Sequence, residues 1–262
     1  LKSANLALND IGDGGAVAIS AALENNTTLT DLNLEGKWDG VKISATGAQA
    51  IAKMLAVNRA LNSINLLKND LGEEGLAHIA AAWEQSATVK SICGIAAGAT
   101  TADLQDQGLY ATDARLIALE LRFNRSLTSV NLLYNDLREG AAAVAAAAEQ
   151  QGNIKTLCGI SADETAMDFS REYRGHGRWS RPSLNAADAV LLGFDLKFNR
   201  SLNTLDLSSN NIGGVSWVKK GELQGTTFKE GDTVQYNGQE CMVLVEEDSD
   251  GYLNVQSLSG VV

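Results

Sequence analysis

The sequence predicts an α/β fold, a solenoid of parallel strands along one face and helices along the other, followed by a small antiparallel β-module. Three observations predict it. The phrase Leu61-Asn-Ser-Ile64-Asn-Leu66-Leu-Lys-Asn69-Asp-Leu71 returns as Leu127-Thr-Ser-Val130-Asn-Leu132-Leu-Tyr-Asn135-Asp-Leu137. Between such phrases the apolar residues fall at helical spacing. From Thr226 the apolar period switches to two, which is the period of a strand with one face buried.

Strand phrases start at residues 1, 29, 61, 89, 127, 154 and 202. They alternate with helical segments carrying Ala16/Ile19/Leu23, Ala48/Ile51/Leu55, Leu76/Ile79/Trp83, Ala114/Ile117/Leu121, Ala141/Val144/Ala148 and Ala187/Val190/Phe194. Each set lies at i, i+3 and i+7, on one helix face. One strand and one helix cannot bury such a face alone, whereas stacked units share a continuous core. Parallel strands need crossovers, and the helices supply them. The expectation is one parallel sheet with Leu66, Leu132 and Leu207 in a single buried row. Asn26, Asn58, Asn124 and Asn199 are expected to end helices in the left-handed conformation. Asp13, Glu73, Glu74 and Glu139 are placed in first turns, where carboxylates complement the helix dipole.

The frame L-x-x-L-x-L-x-x-N-x-L is the signature of a leucine-rich repeat. Long helices and the return Asn-x-x-Leu-x-x-Leu-Asn-Leu resemble the ribonuclease-inhibitor-like class over roughly residues 1–213. That resemblance implies a binding scaffold, and the partner varies from member to member. The phrases at Val89 and Ile154 depart from the frame: Gly94/Ala97 and Gly159/Ala162 stand where Leu and Asn are expected. Extra length occurs at Glu35–Ser44, Ala96–Tyr110 and Ser161–Leu184, each assigned to a strand-to-helix connection and so to one rim. Insertions clustered on one rim mark a binding face.

The 262 residues suit a solenoid with an appendage. A net charge of −11 argues against a general nucleic-acid or anionic-membrane binder. Alanine-rich 141–148 is too short to span a bilayer. Because Leu1 already lies in a strand phrase, the chain is expected to be a piece of a longer array at its N-terminus. Cys93 and Cys158 occupy one slot two phrases apart; strands ~4.8 Å apart would leave them ~10 Å from each other, beyond disulfide reach. Free thiols fit a reducing compartment, with the cytoplasm expected.

Third and fifth frame positions are expected to face outward. They read Ser3, Asp31, Ser63, Ser91, Ser129, Thr156, Thr204 and Asn5, Asn33, Asn65, Cys93, Asn131, Cys158, Asp206, with no aromatic among them. The rim offers more. Arg171, Tyr173, Arg174, His176, Arg178, Trp179 and Arg181 crowd the longest insertion, and Trp38 and Tyr110 lie in the other two. Arginine beside aromatics suits a protein partner with an acidic surface, a phosphate group or a stacked base. The competing reading tucks Trp179 and Tyr173 onto the solenoid and leaves the arginines to solvent.

Residues 214–225 read as a linker, 226–258 as the β-module and 259–262 as the start of a further repeat. Asn237-Gly238 between alternating apolar residues is a hairpin signal. Phe228-Lys-Glu-Gly-Asp-Thr-Val234 resembles the opening of SH3-like or Tudor-like barrels, although the module is short by a strand or two. Glu246, Asp248, Asp250, Gly251 and Leu253 match part of an EF-hand loop, but Ser257 stands where the bidentate Glu belongs. No P-loop, nucleophile elbow or H-E-x-x-H occurs, so no metal, cofactor or catalytic residue is assigned. The reading is a non-catalytic scaffold for a protein partner. Its alternatives are a GTPase-activating regulator of the Ran type, whose repeats are similar, and a structural subunit of a large assembly.

Overall fold

The computed structural model describes residues 1–170 and 183–212 with their side chains, and the backbone of the strands within 215–257. The chain divides into two compact units, Leu1–Ala162 with Leu191–Arg200, and Asp163–Val190 with Ser201–Val262.

The first unit alternates β1 (Ser3–Asn5), α1 (Gly12–Leu23), β2 (Asp31–Asn33), α2 (Ala45–Val57), β3 (Ser63–Asn65), α3 (Gly72–Gln85), β4 (Thr101–Asp103), α4 (Ala111–Phe123), β5 (Ser129–Asn131) and α5 (Gly140–Gln151). All its ladders are parallel and in frame: Ala4 pairs Leu32, Leu32 pairs Ile64, and Ala102 pairs Val130. The central apolar residue of each phrase and the helix triplets meet in a core where Ile51, Leu55, Ile64, Leu66, Ile79, Ile117, Leu121, Leu132 and Val144 are all but sealed from solvent. Neighbouring helices pack α1 on α2, α2 on α3 and α4 on α5. Where α3 meets α4 the contact is sparse. There Trp83 and Phe123 bring their rings to 5.1 Å, and the Trp83 indole N–H donates to the Val89 carbonyl at 2.9 Å.

A frame asparagine organises the turns after β3 and β5. Asn69 Nδ2 donates to the carbonyls of Leu34 and Leu66, and its Oδ1 accepts from Ile43 N–H. Asn135 does the same with Leu104, Leu132 and the N–H groups of Gln107 and Leu109. One buried side chain thereby satisfies carbonyls of two successive repeats. The residue before it is left-handed: Leu8, Lys68, Asp106, Tyr134 and Ser209 all have φ between 51° and 63°.

In the second unit β6 (Ala166–Asp168) pairs in parallel with β7 (Thr204–Asp206), α6 (Ala186–Phe198) lying between them in sequence. Asn210 Nδ2 donates to the carbonyls of Phe169 and Leu207, repeating the turn chemistry of Asn69. The backbone of β8 (Val215–Lys219), β9 (Thr233–Tyr236), β10 (Gln239–Val245) and β11 (Tyr252–Ser257) pairs antiparallel in the order β8-β11-β10-β9.

Several expectations are corrected. The parallel ladder is not one sheet but three, β1-β2-β3, β4-β5 and β6-β7. The phrases at Val89 and Ile154 are not full strands; they touch β3 and β5 only through isolated bridges at Ser91, Cys93, Thr156 and Cys158. The insertions 96–110 and 161–184 are not plain loops, because each contains a strand, β4 or β6. Leu66 and Leu132 are buried, whereas Leu207 is only half-buried. Ser63, Ser91, Cys93, Thr156 and Cys158 do not face solvent but are buried. Asn58 and Asn124 end their helices in extended rather than left-handed geometry, with ψ of 136° and 104°. Their Oδ1 atoms accept the N–H groups of Ala60 and Leu61, and of Ser126 and Leu127. The side chain thus caps the turn that the backbone was expected to make. Glu139 is the N-cap of α5 rather than a first-turn residue. Val215–Lys219, expected as linker, is β8; its alternating Val215, Trp217 and Lys219 suit an extended chain.

Candidate interaction rim

The connection from β2 to α2 is pinned along its second half. Asp10 Oδ1 accepts from Val41 N–H at 3.0 Å, and Asn69 Oδ1 from Ile43 N–H at 3.0 Å. Asp13 accepts from Ser44 N–H, the Ser44 hydroxyl and Gly47 N–H at 2.8, 2.6 and 2.9 Å, and the Ser44 hydroxyl chiefly holds its carboxyl below the usual range. The first half is held from the next repeat: Gly36 N–H donates to the Leu67 carbonyl, and Lys68 Nζ lies 2.6 Å from Glu35. A Cβ at Gly36 would sit 2.0 Å from the Lys68 carbonyl oxygen, so only glycine lets the two loops come this close. Between the anchors Lys37–Asp39 protrude, leaving Trp38 66% exposed.

Tyr110 stands at the N-cap of α4, with its N–H donating to Asp113 Oδ2 at 2.9 Å. Asp113 also accepts from Lys68 N–H at 2.5 Å; it is buried, and burial raises its carboxyl above the usual range against these hydrogen bonds. The loop from β2 therefore reaches the α4 N-terminus through Lys68. Trp38 and Tyr110 meet there, ring centroids 4.6 Å apart and planes tilted by 40°. Burial chiefly, and Asp136 next, push the Tyr110 hydroxyl up, so it stays a neutral donor. Leu8 and Val41 are also exposed: Leu8 N–H donates to the Glu35 carbonyl, and Val41 N–H to Asp10.

Two of the eight residues expected at the site are thus brought together. Arg171, Tyr173, Arg174, Arg178, Trp179 and Arg181 lie outside the described residues, as do His176 and the acidic part of the EF-hand-like segment, Glu246 to Gly251, while of Cys241 only the backbone within β10 is described. The nearest cavity, between the first turns of α3 and α4 and lined by Leu71, Leu76, Asp113 and Leu116 among others, holds about 20 Å³. That is room for one water, far below the roughly 300–1,000 Å³ of a small-molecule site. Among the described residues no cluster of His, Cys, Asp and Glu is arranged to hold a metal. No described helix is long and apolar enough to cross a membrane.

Sequence reasoning missed the buried carboxylates Asp113, Glu120, Asp188 and Asp195, two of which close the interrupted phrases. Glu120 Oε2 accepts from the Ser91 hydroxyl, Ile92 N–H and Cys93 N–H at 3.1, 2.8 and 3.2 Å, and Oε1 accepts from Asn124 Nδ2. Asp195 repeats the device with the Thr156 hydroxyl, Leu157 N–H at 2.6 Å and Cys158 N–H at 3.3 Å. These acceptors occupy the side of each interrupted phrase where a further strand would pair. The signal was present: Glu120 and Asp195 each precede a helix-ending asparagine by four residues and share the apolar face. Cys93 and Cys158, beside these carboxylates, are free and buried.

Leucine-rich repeat sequence is matched at two stretches of the chain, and proteins with such repeats generally mediate protein–protein interaction. The family model described as Leucine Rich repeat matches residues 1–20 and 198–216. The human protein named "NACHT, LRR and PYD domains-containing protein 5" is 28% identical over 227 residues, covering 86% of this chain and 16% of that protein. Its mouse namesake is 28% identical over 96 residues, covering 36% of this chain and 8% of that protein. The chain therefore spans no more than a small fraction of either relative. Among solved structures, "Leiomodin-1 Actin-Binding Site 2 (ABS2)" shares 23% identity at a TM-score of 0.35, over 57% of this chain and 80% of that one.

Proposed function

We propose that this chain is a non-catalytic interaction scaffold of the ribonuclease-inhibitor-like class, binding a protein partner at the loops that lead from strand to helix. The exposed Trp38, held against Tyr110 by loops pinned from three repeats, carries the reading. An exposed indole normally loses rotamer freedom when bound; here the tyrosine and the fixed loop have already restricted it. Tryptophan and tyrosine dominate interface hot spots because they combine large apolar area with a polar edge.

The arginine and aromatic residues Arg171, Tyr173, Arg174, Arg178, Trp179 and Arg181 form a separate binding element, and the expectation of an acidic partner belongs to them. The C-terminal strands are assigned to a small SH3-like or Tudor-like module because Phe228-Lys-Glu-Gly-Asp-Thr-Val234 resembles the opening of such barrels. The test is a pull-down from native extract with wild-type chain and the double variant Trp38→Ala/Tyr110→Ala. Truncating a hot-spot pair should weaken retention of a specific partner by roughly 2 kcal/mol or more, about thirtyfold. Equal retention by a folded double variant would move the site elsewhere.

A further inference from the structure

Every crossover in the first unit has the same sense, so helix N-termini gather at the edge where strands end and helix C-termini at the edge where strands begin. Charge follows that polarity. The strand-to-helix connections 6–13, 34–46, 66–74, 104–113 and 132–139 hold eleven carboxylates (Asp10, Asp13, Glu35, Asp39, Asp70, Glu73, Glu74, Asp106, Asp113, Asp136, Glu139) against four cations (Lys37, Lys42, Lys68, Arg138). The returns with the last helical turn before each, 20–30, 54–62, 82–90, 120–128 and 148–155, hold four carboxylates, Glu24, Glu84, Glu120 and Glu149, against five cations, Arg59, Lys90, Arg122, Arg125 and Lys155. Carboxylates beside helix N-termini and cations beyond C-termini each offset the helix dipoles. That accounts for the sign at each edge, but it does not require the cations to stay unpaired.

Unpaired they are. Arg59, Lys90, Arg125 and Lys155 are all exposed, and none forms an ion pair with a described carboxylate. The ammonium groups of Lys90 and Lys155 rest on the carbonyls of Ala87 and Gly152, each three residues upstream. Those carbonyls orient the side chains without neutralising them. In a chain of net charge −11, four such cations on one edge are a concentrated exception.

We infer that the helix-to-strand edge of the first unit is a second interaction surface, which takes an extended acidic polypeptide segment along Arg59, Lys90, Arg125 and Lys155. The four form two pairs of neighbours: Ser63 bridges Ser91 and Ser129 bridges Thr156, so Arg59 and Lys90 lie beside adjoining phrases, as do Arg125 and Lys155. Adjoining strands are ~4.8 Å apart and an extended chain advances ~3.4 Å per residue, so carboxylates on one side of a peptide could meet successive cations. A nucleic acid fits less well, because its long uniform charge would also run against the carboxylate-rich remainder, whereas a short acidic segment would not.

The test uses the full chain and a fluorescein-labelled dodecapeptide of alternating glutamate and serine, with an alternating glutamine and serine peptide and a thymidine dodecamer as comparison arms. Fluorescence anisotropy at low salt should show binding of the glutamate peptide alone, weakening as salt rises. The variant R59E/K90E/R125E/K155E should lose that binding by more than tenfold. Reversing Lys37 and Lys42 on the opposite edge should leave it within twofold. Circular dichroism of each variant excludes unfolding as the cause; if the quadruple variant fails to fold, the pairs R59E/K90E and R125E/K155E are read separately, with each expected to lose at least threefold. Tighter binding of the thymidine oligomer than of the glutamate peptide would overturn the peptide assignment, and equal binding of the glutamate peptide by wild-type and charge-reversed chains would overturn the surface. Neither result depends on Trp38, so this surface and the aromatic rim stand or fall separately.

Discussion

A carboxylate in a protein core is costly unless donors surround it, and Glu120 and Asp195 each have at least three. Burial still outweighs those donors: it raises Glu120 above the usual range and pushes Asp195 up to about 6. The folded chain therefore holds these protons more tightly than the unfolded one. Stability from this source is lowest above pH 6 and rises as pH falls from about 6 toward the ordinary aspartate value of 3.8. Asp13 acts in the opposite sense, its contribution being present above 3.8 and lost as pH falls below it. Urea midpoints of the wild-type chain should increase between pH 7.5 and 5, and Asp195→Asn should flatten that rise; an equal rise in the variant would refute the assignment. Glu120→Ala leaves the Ile92 N–H group without its acceptor and Cys93 N–H with the Ser91 hydroxyl alone, an expected loss of about 1–3 kcal/mol, measurable by urea unfolding at pH 7. Neither acid stood out among the 32 carboxylates of the chain, although Glu120, at i+3 from Ile117, shares the apolar face.

At the scale of elements, the frame made β1, β2, β3, β5 and β7 legible because leucine, valine or isoleucine recurs with the turn asparagine. β4 and β6 were hidden for physical reasons. Their central residues are Ala102 and Met167, Gln107 stands in the asparagine slot after β4, and no helix separates either strand from the phrase before it. A search at repeat-length spacing passes over strands that follow the preceding phrase so closely. At the rim, Trp38 and Tyr110 were legible as aromatics in insertions, but their meeting depended on Lys68 and Asp113, which look like ordinary surface charges. Leu132→Ala should destabilise by about 2–5 kcal/mol, because it opens a cavity in a core with no solvent contact. Ser129→Ala, half-buried beside it, should cost under about 0.5 kcal/mol. Similar denaturation midpoints for the two variants would contradict the facing of β5. Gly36→Ala should cost more than an ordinary loop substitution, as its methyl would collide with the Lys68 carbonyl; a thermal melt within 1 °C of wild type would show the loops are free to separate.

Across the whole molecule, net charge and composition excluded more than they identified; the separation of charge between the two edges emerged only after the order of strands and helices placed each connection. The interrupted ladder has a kinetic consequence as well. A repeat array unfolds as a set of nearest-neighbour contacts, and its cooperativity is only as strong as its weakest junction. Between Ser91–Cys93 and β4 no strand pairing is recorded, α3 and α4 touch sparsely, and one side of the junction is closed by Glu120. Unfolding that begins at β1 can thus advance to this junction and pause, since crossing it requires breaking the carboxylate cluster and separating Trp83 from Phe123. Native-state hydrogen exchange should accordingly resolve two sets of amide opening energies within the first unit, one for α1 to α3 and one for α4 to α5, and Glu120→Gln should draw the two apart. A single opening energy shared by both sets would mean that the core, rather than the ladder, governs how far a local rupture travels.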